Sequence, residues 1–124
     1  MENLRKLSGG SSCLSEARIQ ADIVKWLQDQ GIYCFSVANE AAGRSAVKQM
    51  QLITCGLRAG VSDLVIVLPG RVIFCEVKDD KGKQSERQLL FQKKVESLGH
   101  EYILVRSVES LQLYLTNVKN KPIM

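Results

Sequence analysis

Two short apolar runs joined by Pro69-Gly70 constrain this chain more than any other feature: Asp63-Leu-Val-Ile-Val-Leu-Pro-Gly-Arg-Val-Ile-Phe-Cys-Glu76-Val77-Lys78. Proline presets the first angle of a turn and glycine accepts the positive φ after it, so the stretch predicts a β-hairpin. The turn fixes the register. Leu68 faces Arg71 and Val67 faces Val72, and continuing the ladder sets Asp63 opposite Glu76, with Cβ atoms about 4.5–5.5 Å apart. Lys78 points to the same face, because side chains alternate along a strand. Two opposed carboxylates repel unless something positive sits between them. A divalent cation is the economical answer. Carboxylate oxygens suit Mg²⁺ or Mn²⁺, and a neighbouring lysine can orient a water or stabilise developing charge. The plainer alternative is the solvated end of a hairpin carrying three charges, and at this point both stand.

The hairpin is apolar on both faces, with Val65, Val67, Val72 and Phe74 on one and Leu64, Ile66, Ile73 and Cys75 on the other. Such strands belong inside a covered sheet, so helices are expected on each side. At 124 residues the chain has room for one domain. Seventeen Lys and Arg against thirteen Asp and Glu give +4, which suits a polyanionic partner, although many basic proteins bind none. No apolar run approaches the roughly 18 residues of a membrane helix and the N-terminus lacks an apolar leader, so a cytoplasmic protein with no membrane partner is expected. Cysteines at 13, 34, 55 and 75 form no CxxC pair, and His100 is the single histidine. Zinc spacing is absent and imidazole-based catalysis is disfavoured. Cys34, Cys55 and Cys75 are expected as buried, reduced thiols. The chemistry falls to carboxylates and lysine.

In chain order, residues 1–13, with Gly9-Gly10-Ser11-Ser12, read as a flexible lead-in, 14–118 as the folded domain and 119–124 as a polar tail. Leu14-Ser15 caps a helix with Ile19, Ile23, Trp26 and Leu27 at helical spacing, ending at Gly31. Glu16 and Gln20 share one face of it, and Glu16 also suits the helix dipole. Ile32–Val37 is β-rich. The loop after it offers Asn39, Glu40 and Arg44 as binding candidates. Ser45 caps a second helix to about Leu57, with Lys48 on its exposed side. A polar loop carrying Lys81 and Lys83 leads to Ser85-x-x-Gln88, a capping box whose helix start favours a phosphate. That helix runs to Gly99, a strand covers Glu101–Arg106, and Ser107 caps a closing helix. The predicted order is α, β, α, β, β, α, β, α.

Taken together, Gly60-Val61-Ser62-Asp63, Glu76-Val77-Lys78 and Ser85-Glu86-Arg87-Gln88 resemble the ordered G-x-P-D, E-x-K and S-x-x-Q motifs of the VRR-NUC family within the PD-(D/E)XK nuclease superfamily. The resemblance spans about Ser15 to Leu115, and Ser62 departs from it where proline is usual. It implies an α/β, restriction-endonuclease-like αβββαβ core with a central mixed sheet flanked by helices. It also implies an Mg²⁺- or Mn²⁺-dependent endodeoxyribonuclease. On that likeness Asp63, Glu76 and the Val77 carbonyl hold metal, and Glu16, of an E…Q pair, joins them directly or through a water. Lys78 and Gln88 complete the catalytic set, with Gln88 touching substrate, water or the lysine. The DNA-binding candidates are Gln20, Asn39, Glu40, Arg44, Lys48, Lys81, Lys83 and Ser85. Standalone members resemble junction-cutting enzymes, which implies a homodimer acting on branched, four-way (Holliday) DNA without a nucleotide cofactor. A flap or nicking nuclease and an inert DNA-binding module are the alternatives. RNA ranks lower, because most of the seven aromatics read as core.

Overall fold

A computed structural model describes residues 14–37, 45–56 and 58–119, with backbone alone at Val118 and Lys119. Ser15 opens α1 (Glu16–Asp29) by accepting from the Arg18 N–H at 3.1 Å, and the helix buries Ile19, Ile23 and Leu27. β1 (Tyr33–Ser36) follows, then α2 (Ala46–Thr54), capped by Ser45. β2 (Leu64–Leu68) and β3 (Arg71–Val77) form the hairpin, with Gly70 at φ +72° in its turn. The chain closes with α3 (Glu86–Ser97), β4 (Glu101–Val105) and α4 (Val108–Lys119), where the Ser110 N–H donates to Ser107 Oγ at 3.1 Å. The predicted element order holds throughout.

The sheet runs β1-β2-β3-β4, antiparallel through β3 and parallel between β3 and β4, so it is mixed as expected. The hairpin register is the one that the turn dictates: Leu68 opposite Arg71, Val67 opposite Val72, and so on to Leu64 opposite Cys75. One further step of the ladder brings Asp63 level with Glu76. α1 and α4 cover one face, where Leu64, Ile66, Ile73, Cys75 and Val77 are buried with Ile23, Leu27 and Leu111. Each such side chain contributes about 1.5–3 kcal/mol to folding.

The other face departs from expectation. α3 lies over β3 and β4, with the Phe91 ring edge-on to Phe74 at 5.5 Å and 6.0 Å from Tyr102. Its reach ends there, since a helix about 10–12 Å across spans two strands spaced roughly 4.8 Å apart and no more. Tyr33 (68% exposed) and Phe35 (45%) on β1, with Val72 (41%) at the turn end of β3, are left open on that face. Tyr33 and Phe35 are not core aromatics, and that weakens the ground for ranking RNA below DNA. α2 packs against no other element among the described residues, leaving Val47, Met50 and Ile53 exposed. The same two facts correct the thiols. Cys75 is buried as expected, its pKa pushed up to about 12 by burial and by Asp63 and Glu76, but Cys34 on the edge strand is half-buried and Cys55 beyond α2 is exposed.

Candidate active site

The carboxylate pair sits at the open end of the hairpin, on the α3 side of the sheet. Asp63 stands just before β2, where the buried Ser62 hydroxyl donates to the Leu64 carbonyl at 3.1 Å and ties down the strand entrance. The Val77 N–H donates to Asp63 Oδ2 at 2.8 Å, which anchors the first carboxylate across the hairpin. Gly60 has φ +87°, and a methyl group there would overlap the carbonyl oxygen of Arg87. Only glycine permits that approach. The turn before Asp63 is thereby pressed onto the first turn of α3, which carries Gln88.

Gln88 serves two ends at once. Its Oε1 accepts from the Ser85 N–H at 2.8 Å while Ser85 Oγ accepts from the Gln88 N–H at 3.2 Å, completing the capping box. Its Nε2 donates to Glu76 Oε2 at 2.7 Å. The amide therefore ties the start of α3 to the Glu76 carboxylate. Lys78 Nζ stands 3.6 Å from the same Glu76 oxygen, and both side chains are withdrawn from solvent. Glu76 is 1% exposed and its Oε1 has no hydrogen-bond partner. Burial first, and the charge of Asp63 second, push the Glu76 carboxyl up to about 8 against the opposing pull of Lys78. At neutral pH the cation-free pair accordingly retains a proton.

Asp63, Glu76, Lys78, Gln88 and the Val77 backbone are thus gathered in one place, while other candidates lie elsewhere. Glu16 does not join Asp63 and Glu76 in a cluster, for no metal-holding group of three or more His, Cys, Asp or Glu side chains exists among the described residues. Its Oε2 lies beside Gly82, on which Asp79 Oδ1 and the Lys78 side chain also converge. Gln20 lines a groove between α1 and the free edge of β1, with Ala17, Ala21 and Cys34. Lys81 and Lys83 are exposed on the loop before α3, Ser85 is occupied by the cap, and Lys48 is exposed on α2. Asn39, Glu40 and Arg44 fall outside the described residues.

The sequence reading missed Arg106, which donates from Nη1 to the carbonyls of Asp79 at 2.5 Å and Gly82 at 2.8 Å and so pins the loop that follows Lys78. Backbone acceptors leave no trace in sequence. It also missed Tyr102, whose place near Glu76 depends on the parallel pairing of β3 with β4, in which Phe74 faces Tyr102 and Glu76 faces Leu104.

No family model and no curated protein matches this sequence. Solved structures do match. One described as a VRR_NUC domain protein superposes with a TM-score of 0.64 at 17% identity, over 85% of this chain and 88% of that one. Another, described as a VRR_NUC domain, has a TM-score of 0.58 at 22% identity, over 86% and 97%. The fold of this chain, with the Asp63–Glu76 pair at the mouth of its hairpin, is therefore that of VRR_NUC domains.

Proposed function

We propose that this domain is an endonuclease that hydrolyses DNA phosphodiester bonds with Mg²⁺ or Mn²⁺ at the Asp63–Glu76 pair. The observation that carries the reading is Glu76, a carboxylate withdrawn from water beside a second carboxylate, with one oxygen unpartnered. A pair of that kind must hold a proton or a cation. The donors left for a cation, Glu76 Oε1 and the Asp63 oxygen not bound by the Val77 N–H, are hard oxygens of the sort that Mg²⁺ and Mn²⁺ take, and the Val77 carbonyl adds a third. Glu16 would act at one remove, through water. A bound cation supplies neutralisation of the charge that builds on the phosphate.

The protein's own groups supply the rest. Gln88 holds the plane of the Glu76 carboxylate. Lys78, whose stem is buried and whose ammonium neighbours Glu76, offers N–H donors to an attacking water and to a phosphate oxygen. Arg106 keeps the loop behind Lys78 in place, and the N-terminal turn of α3 adds a dipole that favours phosphate. Gln20, Lys48, Lys81 and Lys83, with Asn39, Glu40 and Arg44, are the proposed DNA contacts.

The finer reading is a homodimer that cuts four-way junctions symmetrically. A +4 domain neutralises few phosphates alone, and a two-fold pair doubles both the charge and the number of sites. Two unpacked apolar surfaces favour a second copy as the cover: the α2 row of Val47, Met50 and Ile53, and the sheet face of Tyr33, Phe35 and Val72. Cleavage of labelled linear, flap, four-way and RNA substrates with Mg²⁺, Mn²⁺ or chelator, alongside sedimentation at micromolar concentration, tests both levels. A dimer that makes paired incisions about the branch point is expected. A monomer that nicks linear and branched DNA equally refutes the junction reading, and absence of any metal-dependent cleavage refutes the nuclease.

A further inference from the structure

Two exposed arginines meet where the turn before Asp63 touches α3, and neither has an anion of its own. The chain turns at Ala59 and Gly60, with Arg58 just before the turn and Asp63 shortly after it. The point where a Gly60 Cβ would lie is 3.1 Å from the Cβ of Arg87, so the Arg87 side chain leaves α3 on the side that faces this turn. Two residues of chain span at most about 7 Å, which keeps the Arg58 backbone within that distance of Gly60. Arg87 directly precedes Gln88, whose amide holds the Glu76 carboxylate at 2.7 Å. Both arginines are therefore rooted at the rim of the carboxylate pair. Arg18, Lys25, Arg71 and Lys78 each face a carboxylate and Arg106 donates to two carbonyls, but Arg58 and Arg87 pair with no carboxylate among the described residues. Lys94 is exposed and unpaired as well, yet it sits in the last turn of α3, where the helix dipole favours a cation. Arg87 sits in the first turn, where the same dipole opposes it. The residues three and four positions from Arg87 are Lys83, Gln84, Leu90 and Phe91, none of them acidic, and Glu86 beside it does not share its face. Arg58 brings a second positive charge to that same end.

We infer that Arg58 and Arg87 form a clamp for the DNA backbone, each guanidinium taking one phosphate next to the scissile one. A guanidinium presents five N–H donors in a planar fork that matches phosphate oxygens. Positive charge crowded at the start of α3 is unfavourable in the free protein and is relieved once phosphates arrive. A strand laid over the Asp63–Glu76 pair brings its neighbouring phosphates to this rim, and the close approach of Gly60 to Arg87 fixes the two arginines relative to each other and to the site. The inference rests on the nuclease reading above and adds to it a substrate contact outside the residues proposed there.

The test is fluorescence anisotropy of a labelled DNA duplex with the intact protein in chelator, between roughly 50 and 200 mM salt, for the wild type, Arg58→Gln, Arg87→Gln, the double variant and Lys94→Gln. Each phosphate contact contributes about 0.9 to the slope of log affinity against log salt, which is about eightfold in affinity near 0.1 M salt relative to 1 M. Either arginine variant is therefore expected to bind about eightfold more weakly with the slope reduced by about one, and the double variant to lose about two. Lys94→Gln removes the same charge from the far end of α3 and is expected to leave both nearly unchanged. Melting temperatures should not fall, because neither arginine has a partner within the fold. With Mg²⁺ present, the arginine variants should raise KM for DNA by a similar factor while kcat changes little. Arginine variants that bind as wild type, a Lys94→Gln loss as large as theirs, or a fall in kcat at unchanged KM overturns the clamp while the nuclease reading stands. A wild-type protein that neither binds nor cuts DNA overturns both.

Discussion

Replacing Glu76 by glutamine should make the metal-free protein more stable at neutral pH, and the gain should disappear in acid. The folded pKa of Glu76, about 8, lies above its ordinary value of 4.5. Between those values the folded state holds a proton that the unfolded chain has lost. The stabilising effect of that proton is complete below pH 4.5 and is lost as pH rises through 8. By pH 7 about 2.5 pH units of the interval have been crossed, which at 1.36 kcal/mol per unit is on the order of 3 kcal/mol against folding. Glutamine never ionises. Its carbonyl can still accept from Gln88 Nε2, and its amide can donate to Asp63 where two acids stood opposed. Denaturant unfolding in chelator, followed by the fluorescence of Trp26, should give variant and wild type equal stability at pH 4.5. By pH 7 the variant should lead by roughly 2–3 kcal/mol, or about 10 °C in melting temperature. Acids remote from the site cancel in the comparison, so the difference reports on the coupled Asp63–Glu76 pair. A difference that stays flat across this range, or a wild type that is the more stable at pH 8, would refute the burial of a carboxylate pair.

Three further expectations follow from neighbouring contacts. Lys78→Ala should lower turnover strongly while Mn²⁺ affinity by calorimetry changes little, because lysine is no ligand; lost affinity with normal turnover at saturating metal would contradict its role. Gly60→Ala meets both a positive φ and the Arg87 carbonyl, so thermal melts should show a loss well beyond the roughly 1 kcal/mol of strain expected for Gly70→Ala, which has open space around it. Equal losses at the two glycines would contradict the close approach of the Asp63 turn to α3. Arg106→Ala releases two carbonyls, and hydrogen exchange should quicken at Gly82 with less than about 1 kcal/mol lost globally and activity down several-fold; unchanged exchange there would show that the clamp is idle.

What the sequence disclosed was local. The Asp63–Glu76 opposition followed from a turn that sets its own register, and Gln88 followed from a capping box spanning four residues. Both are fixed by chemistry within a few positions of one another. Tyr102 was hidden because its approach to Glu76 depends on a parallel pairing reached through the α3 crossover. Arg106 was hidden because its partners are carbonyls. The open sheet face was misjudged for a geometric reason: alternating apolar residues show that a face is apolar, but not whether one helix is wide enough to cover four strands. α2 carries an apolar row that promises a packed helix, yet its partner lies in no other described element. The Glu16-Gln20 spacing correctly put two polar residues on α1, but helical spacing alone cannot say that Glu16 Oε2 comes to lie beside Gly82 and the Lys78 side chain.

The most direct measurement is the appearance of cleaved product from a labelled four-way DNA incubated with wild-type protein and with Asp63→Asn, each in Mg²⁺, in Mn²⁺ and in chelator. The account predicts product from the wild type only when a divalent ion is present, and none from Asp63→Asn under any condition, although that variant still folds and binds the DNA. Product made by the wild type in chelator, or by Asp63→Asn at the wild-type rate, would contradict it.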